Sequence, residues 1–364
     1  MAMASVSPVT ASARSFSARY LGLEALPEPA TEVAEIRELD LTGNRLSSVP
    51  DWIARLTKLE RVVLDENRLS SLPSWLPTLR TLRELHVDRN ELAVLPGQLG
   101  ELEQLDLLSV RGNRLRTLPD SLSHLDALRT LSVGENPLGA LPGVVHSLRG
   151  LEHLYVHGCG LERFPQELEH LTQLRTLDLG HNPAGSLPDS LGSLRQLRVL
   201  YASHLGLTIL PASISALESL TYLGLGSNRL SALPDSIGEL SRLRELRVDD
   251  NALVALSDSL GSLVELTELC LKNNRLTLFP SRLGHLASLQ RLELRNNHIA
   301  ALPDSIGGLR SLAELDLRAN RLVALPASLG ELPRLRKLDL RWNKLRDIPD
   351  TLGQLEARGC RILL

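Results

Sequence analysis

A 23-residue pattern repeats from Ile36 to Ala357 without an insertion or a deletion. One copy reads L-x-x-L-x-L-x-x-N-x-L-x-x-L-P-x-x-L-x-x-L-x-x, as residues 312–334 show. A unit of this size cannot bury its apolar face alone, so successive units must stack into a solenoid. Function must then lie in the residues that depart from the pattern. The fourteen copies, here called coils 1 to 14, begin at Ile36, Leu59, Leu82, Leu105, Leu128, Leu151, Leu174, Leu197, Leu220, Leu243, Leu266, Leu289, Leu312 and Leu335.

Each coil contains the segment L-x-x-L-x-L, whose alternation of apolar and polar residues predicts a half-buried strand. Stacked coils place these strands in parallel, and parallel strands need a crossover, which the L-P-x-x-L-x-x-L segment supplies. That segment is too short for a full helix and favours a single helical or 3₁₀ turn. The predicted fold is an α/β solenoid, a leucine-rich-repeat horseshoe with a parallel concave β-sheet and short helical or 3₁₀ turns on the convex side.

Asparagine occupies the ninth position of twelve coils, from Asn44 to Asn343. A buried amide there can bond backbone groups of its own turn and of the neighbouring coil, which would otherwise stay unpaired at about 1–3 kcal/mol each. Cys159 in coil 6 and Leu205 in coil 8 replace the asparagine, and Ala184 replaces a framework leucine in coil 7. The pattern is therefore weakest from coil 6 to coil 8.

The open ends of a solenoid expose apolar edges and need protection. Residues 1–20 are rich in serine and alanine and predict a disordered tail. Residues 21–35 follow the register of the second half of a coil and predict an N-terminal capping half-repeat. Trp52 and Trp75 are expected to pack against it and against each other. Residues 36–357 form the fourteen repeats, and residues 358–364 predict a minimal C-terminal cap.

Charge, hydropathy and cysteine usage narrow the possible settings. A net charge of −3 with interspersed acids and bases gives no basic stripe for nucleic acid. No apolar stretch approaches the roughly 18–20 residues that cross a bilayer, so membrane insertion is not predicted. The three cysteines lie far apart and suggest no disulfide framework, which indicates a reducing compartment. We expect a cytoplasmic monomer.

The 23-residue L-P-x-x-L/I-G-x-L form resembles intracellular leucine-rich-repeat proteins of the Ras-suppressor, Shoc-2 and Scribble type, and the plant intracellular Ras-group proteins. The resemblance runs from Leu23 to Leu355 and rests on framework residues. It implies a non-enzymatic protein-binding scaffold or adaptor in intracellular signalling, with a component of a small-GTPase or kinase pathway as partner. The pathway is an analogy, because framework residues carry no specificity.

Two alternatives stay open: a bacterial effector translocated into a host cell that mimics such scaffolds, and the substrate-recognition part of a ubiquitin ligase system. Bacterial leucine-rich-repeat ligases carry a catalytic Cys-x-Asp, and none of Cys159, Cys270 and Cys360 stands in that motif. A P-loop, a nucleophile elbow, kinase motifs and Cys-x-x-Cys pairs are also missing from the sequence. We therefore predict no enzymatic activity and no cofactor.

Residues free to bind a partner are the third, fifth and seventh of each coil, which point away from the core, and the eighth at the rim. Near the C-terminus these columns place Arg318 and Arg341 beside Asp316 and Asp339, which predicts mutual neutralisation. Coils 6 to 9 carry tyrosines and histidines instead, and tyrosine is common in binding hot spots. The predicted protein-binding site comprises His153, Tyr155, His157, Asp178, His181, Val199, Tyr201, His204 and Tyr222.

Three histidines of this site occupy consecutive coils. His157, His181 and His204 are expected to form a row with neighbours about 5 Å apart. Cys159 points inward and cannot join them as a ligand, so no metal is predicted. The row favours a pH-responsive binding patch.

Overall fold

The computed structural model describes residues 10–11, 14–28, 34–346 and 350–364. It divides into an N-terminal unit, Met1–Leu161, and a C-terminal unit, Glu162–Leu364. Within each unit, short strands form a sheet on one side of the coils and short helical turns form the other side. Each unit is a leucine-rich-repeat solenoid, as the 23-residue pattern predicts.

In the N-terminal unit, strands β2 to β8 pair in parallel in chain order, and β1 pairs antiparallel with β2. The register between β3 and β8 is 23 residues, so that Leu108 lies beside Leu131 and Leu131 lies beside Leu154. The strands are β1 Thr10–Ala11, β2 Ser15–Ser17, β3 Glu38–Asp40, β4 Arg61–Val63, β5 Glu84–His86, β6 Leu107–Ser109, β7 Thr130–Ser132 and β8 His153–Tyr155.

In the C-terminal unit, strands β9 to β17 are all parallel and pair in chain order. Leu177, Leu200 and Leu223 lie side by side in successive strands and have no exposed surface. The strands are β9 Thr176–Asp178, β10 Val199–Tyr201, β11 Tyr222–Gly224, β12 Glu245–Arg247, β13 Glu268–Cys270, β14 Arg291–Glu293, β15 Glu314–Asp316, β16 Lys337–Asp339 and β17 Arg361–Leu363.

The opposite side of the coils consists of 3₁₀ turns, most of which directly follow the proline of the L-P step. Neighbouring turns pack so closely that a Cβ on Gly284 would lie 2.1 Å from the backbone oxygen of Ser305. Glycine therefore recurs at this position of the repeat. The turns are Asp51–Arg55, Leu76–Thr78, Leu99–Glu101, Asp120–His124 and Gly143–Ser147 in the N-terminal unit, and Gln166–His170, Asp189–Ser193, Ala212–Ala216, Asp235–Glu239, Asp258–Ser262, Leu283–His285, Asp304–Gly308 and Ala327–Glu331 in the C-terminal unit.

Where a coil has asparagine at its ninth position, this side chain bonds the coil to the preceding coil, as predicted. The Nδ2 of Asn228 donates to Leu225 O within its own coil and to Ala202 O of the preceding coil, both at 2.9 Å. Its Oδ1 accepts from the backbone N–H groups of Leu205 and Leu207, both at 3.0 Å. One amide thus satisfies four backbone groups that would otherwise be buried without partners.

Glycines compensate for the two coils that lack the asparagine. In coil 6 the thiol of Cys159 donates to Val133 O at 3.3 Å, and the N–H of Gly139 in coil 5 donates to Cys159 O at 3.0 Å. The N–H of Gly185 donates in the same way to Leu205 O at 2.9 Å. Both glycines have left-handed backbone, with φ of 68° and 71°. The turn rearranges so that backbone replaces the missing amide, which only glycine permits without strain.

The N-terminal end of the sheet begins earlier than predicted. Strand β2 pairs in parallel with β3, and the ring of Phe16 is buried and contacts Trp52 edge-on at 6.1 Å. The predicted disordered tail is therefore wrong for residues 14–20, whereas residues 1–9 and 12–13 lie outside the described residues. Trp52 packs on Phe16, which precedes the predicted capping half-repeat. Trp75 instead donates from Nε1 to Asp51 Oδ1 at 2.9 Å.

The C-terminal end is larger than the predicted cap of residues 358–364. Coil 14 crosses over through an α-helix, α1 Asp350–Ala357, which buries Leu352 and Leu355. Strand β17 follows and pairs with β16, placing Arg361 beside Lys337, an offset of 24 residues. The single extra residue gives room for a full helical crossover, which replaces the 3₁₀ turn of the other coils.

Candidate protein-binding surface

The third, fifth and seventh residues of each coil lie on one side of the sheet, here called the strand face. The nine predicted site residues are divided between the two units. His153, Tyr155 and His157 belong to the N-terminal unit, and the other six belong to the C-terminal unit. Each group is described within its own unit.

In the N-terminal unit, His157 turns back over the preceding coil. Its ring fills the space above Gly134, where an added Cβ would lie 2.6 Å from the ring. Its Nε2 lies 3.7 Å from Oε1 of Glu135. A hydrogen bond from Arg111, and the charges of Arg111 and His157, hold the pKa of Glu135 below its usual value, although burial opposes them. His157 is thus part of a local charge cluster and is largely covered.

In the C-terminal unit, Tyr201 and Tyr222 form an aromatic pair. Strand pairing places Tyr201 beside Gly224 and Tyr222 beside Val199, and the ring centroids are 4.9 Å apart at a tilt of 49°. Tyr201 is 38% exposed, and Tyr222 is half-buried. Burial raises the pKa of Tyr222 to about 12, so its hydroxyl keeps its proton near neutral pH. The pair offers an apolar surface that carries two hydroxyl groups.

Two histidines stack at the rim beside this pair. The rings of His181 and His204 are 4.2 Å apart and within 17° of parallel, which confirms the predicted neighbours. Both residues occupy the eighth position of a coil and have left-handed φ of 57° and 55°. With this backbone conformation the eighth side chain points out of the coil, whereas the ninth side chain, at the asparagine position, points inward. Both histidines are exposed.

Small residues open the strand face around the tyrosines. Gly224 leaves the space that the Tyr222 ring partly occupies, since an added Cβ would lie 3.1 Å from its hydroxyl. Gly226 leaves room beside Asp249, whose Oδ1 would lie 3.1 Å from such a Cβ. Asp178 lies beside Tyr201 in register, and its Oδ1 accepts from the N–H of Gly180 at 3.0 Å.

The strand face of coils 10 to 14 carries a charge lattice at the third, fifth and seventh positions in place of tyrosines. Arg291 lies 3.8 Å from Glu268 and 3.6 Å from Glu314, across two neighbouring strands. Arg318 binds Asp316 through two nitrogens at 2.6 and 2.9 Å. Arg341 binds Asp339 in the same bidentate way, at 2.7 and 2.9 Å. The predicted neutralisation of Arg318 and Arg341 by the two aspartates is confirmed.

The cysteines are core residues, and their surroundings do not favour reactive thiolates. Cys159, Cys270 and Cys360 are all buried with free thiols. Burial, assisted by Asp249 and Glu293, raises the pKa of Cys270 to about 12. Burial also raises the pKa of Cys360. Low-pKa thiolates are the reactive form of cysteine, and these environments disfavour them.

Sequence reasoning overlooked the acids on the C-terminal side of the tyrosine pair. Glu245 lies beside Tyr222 in the sheet, and Asp249 lies above Gly226. The sequence could have identified these acids, because residues 23 positions apart in this repeat lie side by side in the sheet. Within the N-terminal unit His157 lies against Glu135, and its expected place in a row with His181 and His204 stays a prediction. Within the described ranges, no three His, Cys, Asp or Glu side chains converge as metal ligands.

The chain belongs to the leucine-rich-repeat family. Residues 76–186, 181–295 and 279–357 match the profile of the leucine-rich repeat region, and residues 34–92 match that of the leucine rich repeat. These matches cover the coils on which the fold and the surface are built. No curated protein matches the sequence.

Several solved structures share the fold. A leucine-rich-repeat protein of Leptospira interrogans is 29% identical with a TM-score of 0.88, over 95% of this chain and 94% of that one. An internalin of Listeria monocytogenes is 22% identical with a TM-score of 0.67, over 90% and 86%, which shows the fold alone. The ectodomain of the Arabidopsis receptor kinase HAESA, solved with a peptide hormone, is 27% identical with a TM-score of 0.67, over 90% and 66%.

In the part of the chain that the structure describes, no helix has the length and apolar character to cross a membrane.

Proposed function

We propose that this protein is a non-enzymatic binding scaffold or adaptor that holds a protein partner on the strand face of its C-terminal unit. The contact residues are Asp178, His181, Val199, Tyr201, His204 and Tyr222, here called the tyrosine–histidine patch. The observation that carries the proposal is the exposed Tyr201–Tyr222 pair. Tyrosine buries a large apolar area with few rotatable bonds and keeps a polar group, which makes it effective in interfaces.

The neighbouring surface supports this choice. Arg291, Arg318 and Arg341 of coils 12 to 14 already pair with carboxylates, and such ion pairs add little to binding unless a partner replaces them. The Tyr201–Tyr222 pair instead leaves aromatic surface open to solvent. His153, Tyr155 and His157 are proposed as contact residues of the N-terminal unit, to be tested separately.

The comparisons supply a precedent for the class of ligand. The HAESA ectodomain holds a peptide hormone, and an extended polypeptide would suit a sheet face here as well. The resemblance to Ras-suppressor, Shoc-2 and Scribble proteins adds a proposed role in intracellular signalling, with a partner from a small-GTPase or kinase pathway. A catalytic role of Cys270 or Cys360 in a ubiquitin ligase is not favoured, because burial raises the pKa of both thiols.

The test is capture of partners from cells that produce the protein, followed by affinity measurement with each purified partner. The Tyr201→Ala, Tyr222→Ala double variant should lose the partner, with an affinity loss of about 30-fold or more if a hot spot is removed. Ile209→Ala is the matched control, because Ile209 is an exposed apolar residue of the same unit outside the patch. Partner binding that survives the double variant and fails in Arg318→Ala would place the interface on the charge lattice.

A further inference from the structure

The tyrosine pair lies between carboxylates on the strand face. Strand pairing places Asp178 beside Tyr201 on one side, and Glu245 beside Tyr222 on the other. Asp249 extends over Gly226 in the neighbouring column. An incoming group on the aromatic pair therefore meets negative charge from both directions along the sheet.

The nearby cations already contact carboxylates. The Nε of Arg247 donates to Glu245, and its NH2 lies 3.9 Å from Oε2 of Glu268 in the next coil. Lys272 lies 3.9 Å from Oδ2 of Asp249. In coils 7 to 10, the third, fifth and seventh positions hold three carboxylates, Asp178, Glu245 and Asp249, against the single guanidinium of Arg247. The patch has an excess of negative charge next to two electron-rich ring faces.

We infer that the partner segment held by the tyrosine–histidine patch carries an arginine whose guanidinium stacks on Tyr201 and Tyr222 and pairs with the flanking carboxylates. This inference rests on the proposed function and specifies the chemistry of its partner. A cation over a tyrosine ring is attracted by the ring quadrupole, and nearby carboxylates strengthen that attraction.

Arginine fits this site better than lysine does. Its planar guanidinium can lie flat on a ring while its N–H groups reach carboxylates at the ring edge. Lysine is a strongly hydrated point charge and lacks that planar face. An acidic or phosphorylated segment would meet like charge from Asp178, Glu245 and Asp249, which disfavours it at this surface.

The chain contains four tyrosines, which allows a direct experiment. With tyrosine rings labelled by carbon-13, NMR resolves Tyr20, Tyr155, Tyr201 and Tyr222, and each signal is assigned by a Tyr→Phe substitution. The probe is the peptide acetyl-Gly-Arg-Ser-Arg-Gly-amide. Three control peptides replace both arginines. One carries citrulline, which has nearly the same shape without the charge, and the other two carry glutamate or leucine.

The arginine peptide should shift the ring signals of Tyr201 and Tyr222 in a saturable way and leave Tyr20 unchanged. The citrulline peptide should bind about two- to fivefold more weakly, which is the loss expected for an exposed cation–π contact. Tyr201→Phe should retain arginine binding, and Tyr201→Leu should lose it. Glu245→Gln and Asp249→Asn should each weaken binding. Glu314→Gln is the matched control in the charge lattice, where Glu314 pairs with Arg291, and should leave binding unchanged.

Equal binding of the arginine and citrulline peptides would overturn the inference. Stronger shifts of Tyr201 and Tyr222 with the leucine peptide would also overturn it, while leaving the patch as a peptide-binding surface. If no peptide moves these signals and the tyrosine double variant still loses its captured partner, the arginine chemistry fails and the scaffold function stands. If the double variant keeps its partner, the proposed function fails by its own test.

Discussion

Coils 7 to 9 and coils 10 to 14 share one unit and one framework, yet their strand faces have opposite characters. In the later coils most guanidinium groups of the strand face contact a carboxylate on their own strand or on the next, as Arg318 and Arg341 do around Asp339. In the earlier coils the same positions hold tyrosine, valine and glycine, and aromatic surface stays exposed. The same backbone thus carries either side chains that pair with one another or side chains that stay exposed. The lateral neighbour, 23 residues away in the sequence, helps to decide between the two.

The largest expected effect separates the patch from the core beneath it. Leu177→Ala removes a fully buried side chain below the patch and should lower the free energy of unfolding by about 2–5 kcal/mol through the cavity it leaves. Tyr201→Ala removes a side chain on the open face and should change it by less than about 0.5 kcal/mol. Chemical denaturation of both variants measures the difference. Similar losses in the two variants would mean that Tyr201 is a framework residue.

Partner binding should reverse that order. At least one of Tyr201→Ala and Tyr222→Ala should weaken the partner complex by about 2 kcal/mol, because hot-spot aromatics carry much of an interface. Arg341→Ala should have little effect on binding, because its guanidinium is already held by Asp339. Titration calorimetry with the captured partner distinguishes the two regions. A larger loss in the arginine variant would move the interface to coils 10 to 14.

Acid should weaken the lattice through Asp339, which is almost fully buried. Burial opposes ionisation of this carboxyl, but hydrogen bonds from Arg341 and the charge of Arg318 outweigh it and lower its pKa. A lowered folded-state pKa stabilises the protein above about pH 4, and this contribution is lost as pH falls further. Asp339→Asn should therefore cost about 1–3 kcal/mol at neutral pH and progressively less below about pH 4.

The control for this titration is Asp65, in the N-terminal unit. Burial raises the pKa of Asp65, with the charge of Asp88 acting in the same direction and a hydrogen bond from the Asp88 N–H opposing it. Its ionisation opposes folding near neutral pH, so Asp65→Asn should be neutral or stabilising there. Denaturation curves between pH 3 and pH 7 test both variants. Equal and pH-independent effects would show that neither charge environment matters for stability.

A smaller effect should mark the irregular turns next to the patch. Gly185 has a left-handed φ of 71°, and nothing lies within 4 Å of an added Cβ. Gly185→Ala should therefore cost about 1 kcal/mol through backbone strain alone. Gly353 in α1 has the same open surroundings without the left-handed backbone, so Gly353→Ala should stabilise the protein by about 0.5–1 kcal/mol. Thermal denaturation of the two variants should show shifts of opposite sign.

The regular part of the molecule could be predicted because equivalent positions of successive coils have the same surroundings. The inward leucines, the asparagine column and the pairing of Arg318 with Asp316 follow from position in the repeat and from short-range chemistry. The ends could not be predicted in this way. Ser15–Ser17 lack the leucines of the pattern, yet Phe16 and Ala18 bury themselves against coil 1 and complete a strand.

The candidate site shows the same division. The repeat placed Tyr201, Tyr222, His181 and His204 on one face, and the structure stacks the two histidines as expected. The direction in which a side chain turns depends on the space its neighbours leave. His157 folds over Gly134 toward Glu135, and Tyr222 leans over Gly224. These side-chain directions follow from packing against neighbouring coils and cannot be predicted from the sequence of a single coil.

The sequence by itself determined the solenoid, the lateral neighbours within strands β3 to β8 and within strands β9 to β16, and the column that binds coil to coil. A fixed period leaves one way to bury the leucines, so local pattern and global fold coincide. The tertiary structure decided how Gly139 and Gly185 replace a missing amide, how both ends close and which surface groups satisfy one another. Those outcomes depend on distances between atoms of neighbouring coils, and such distances exist only once the coils have stacked.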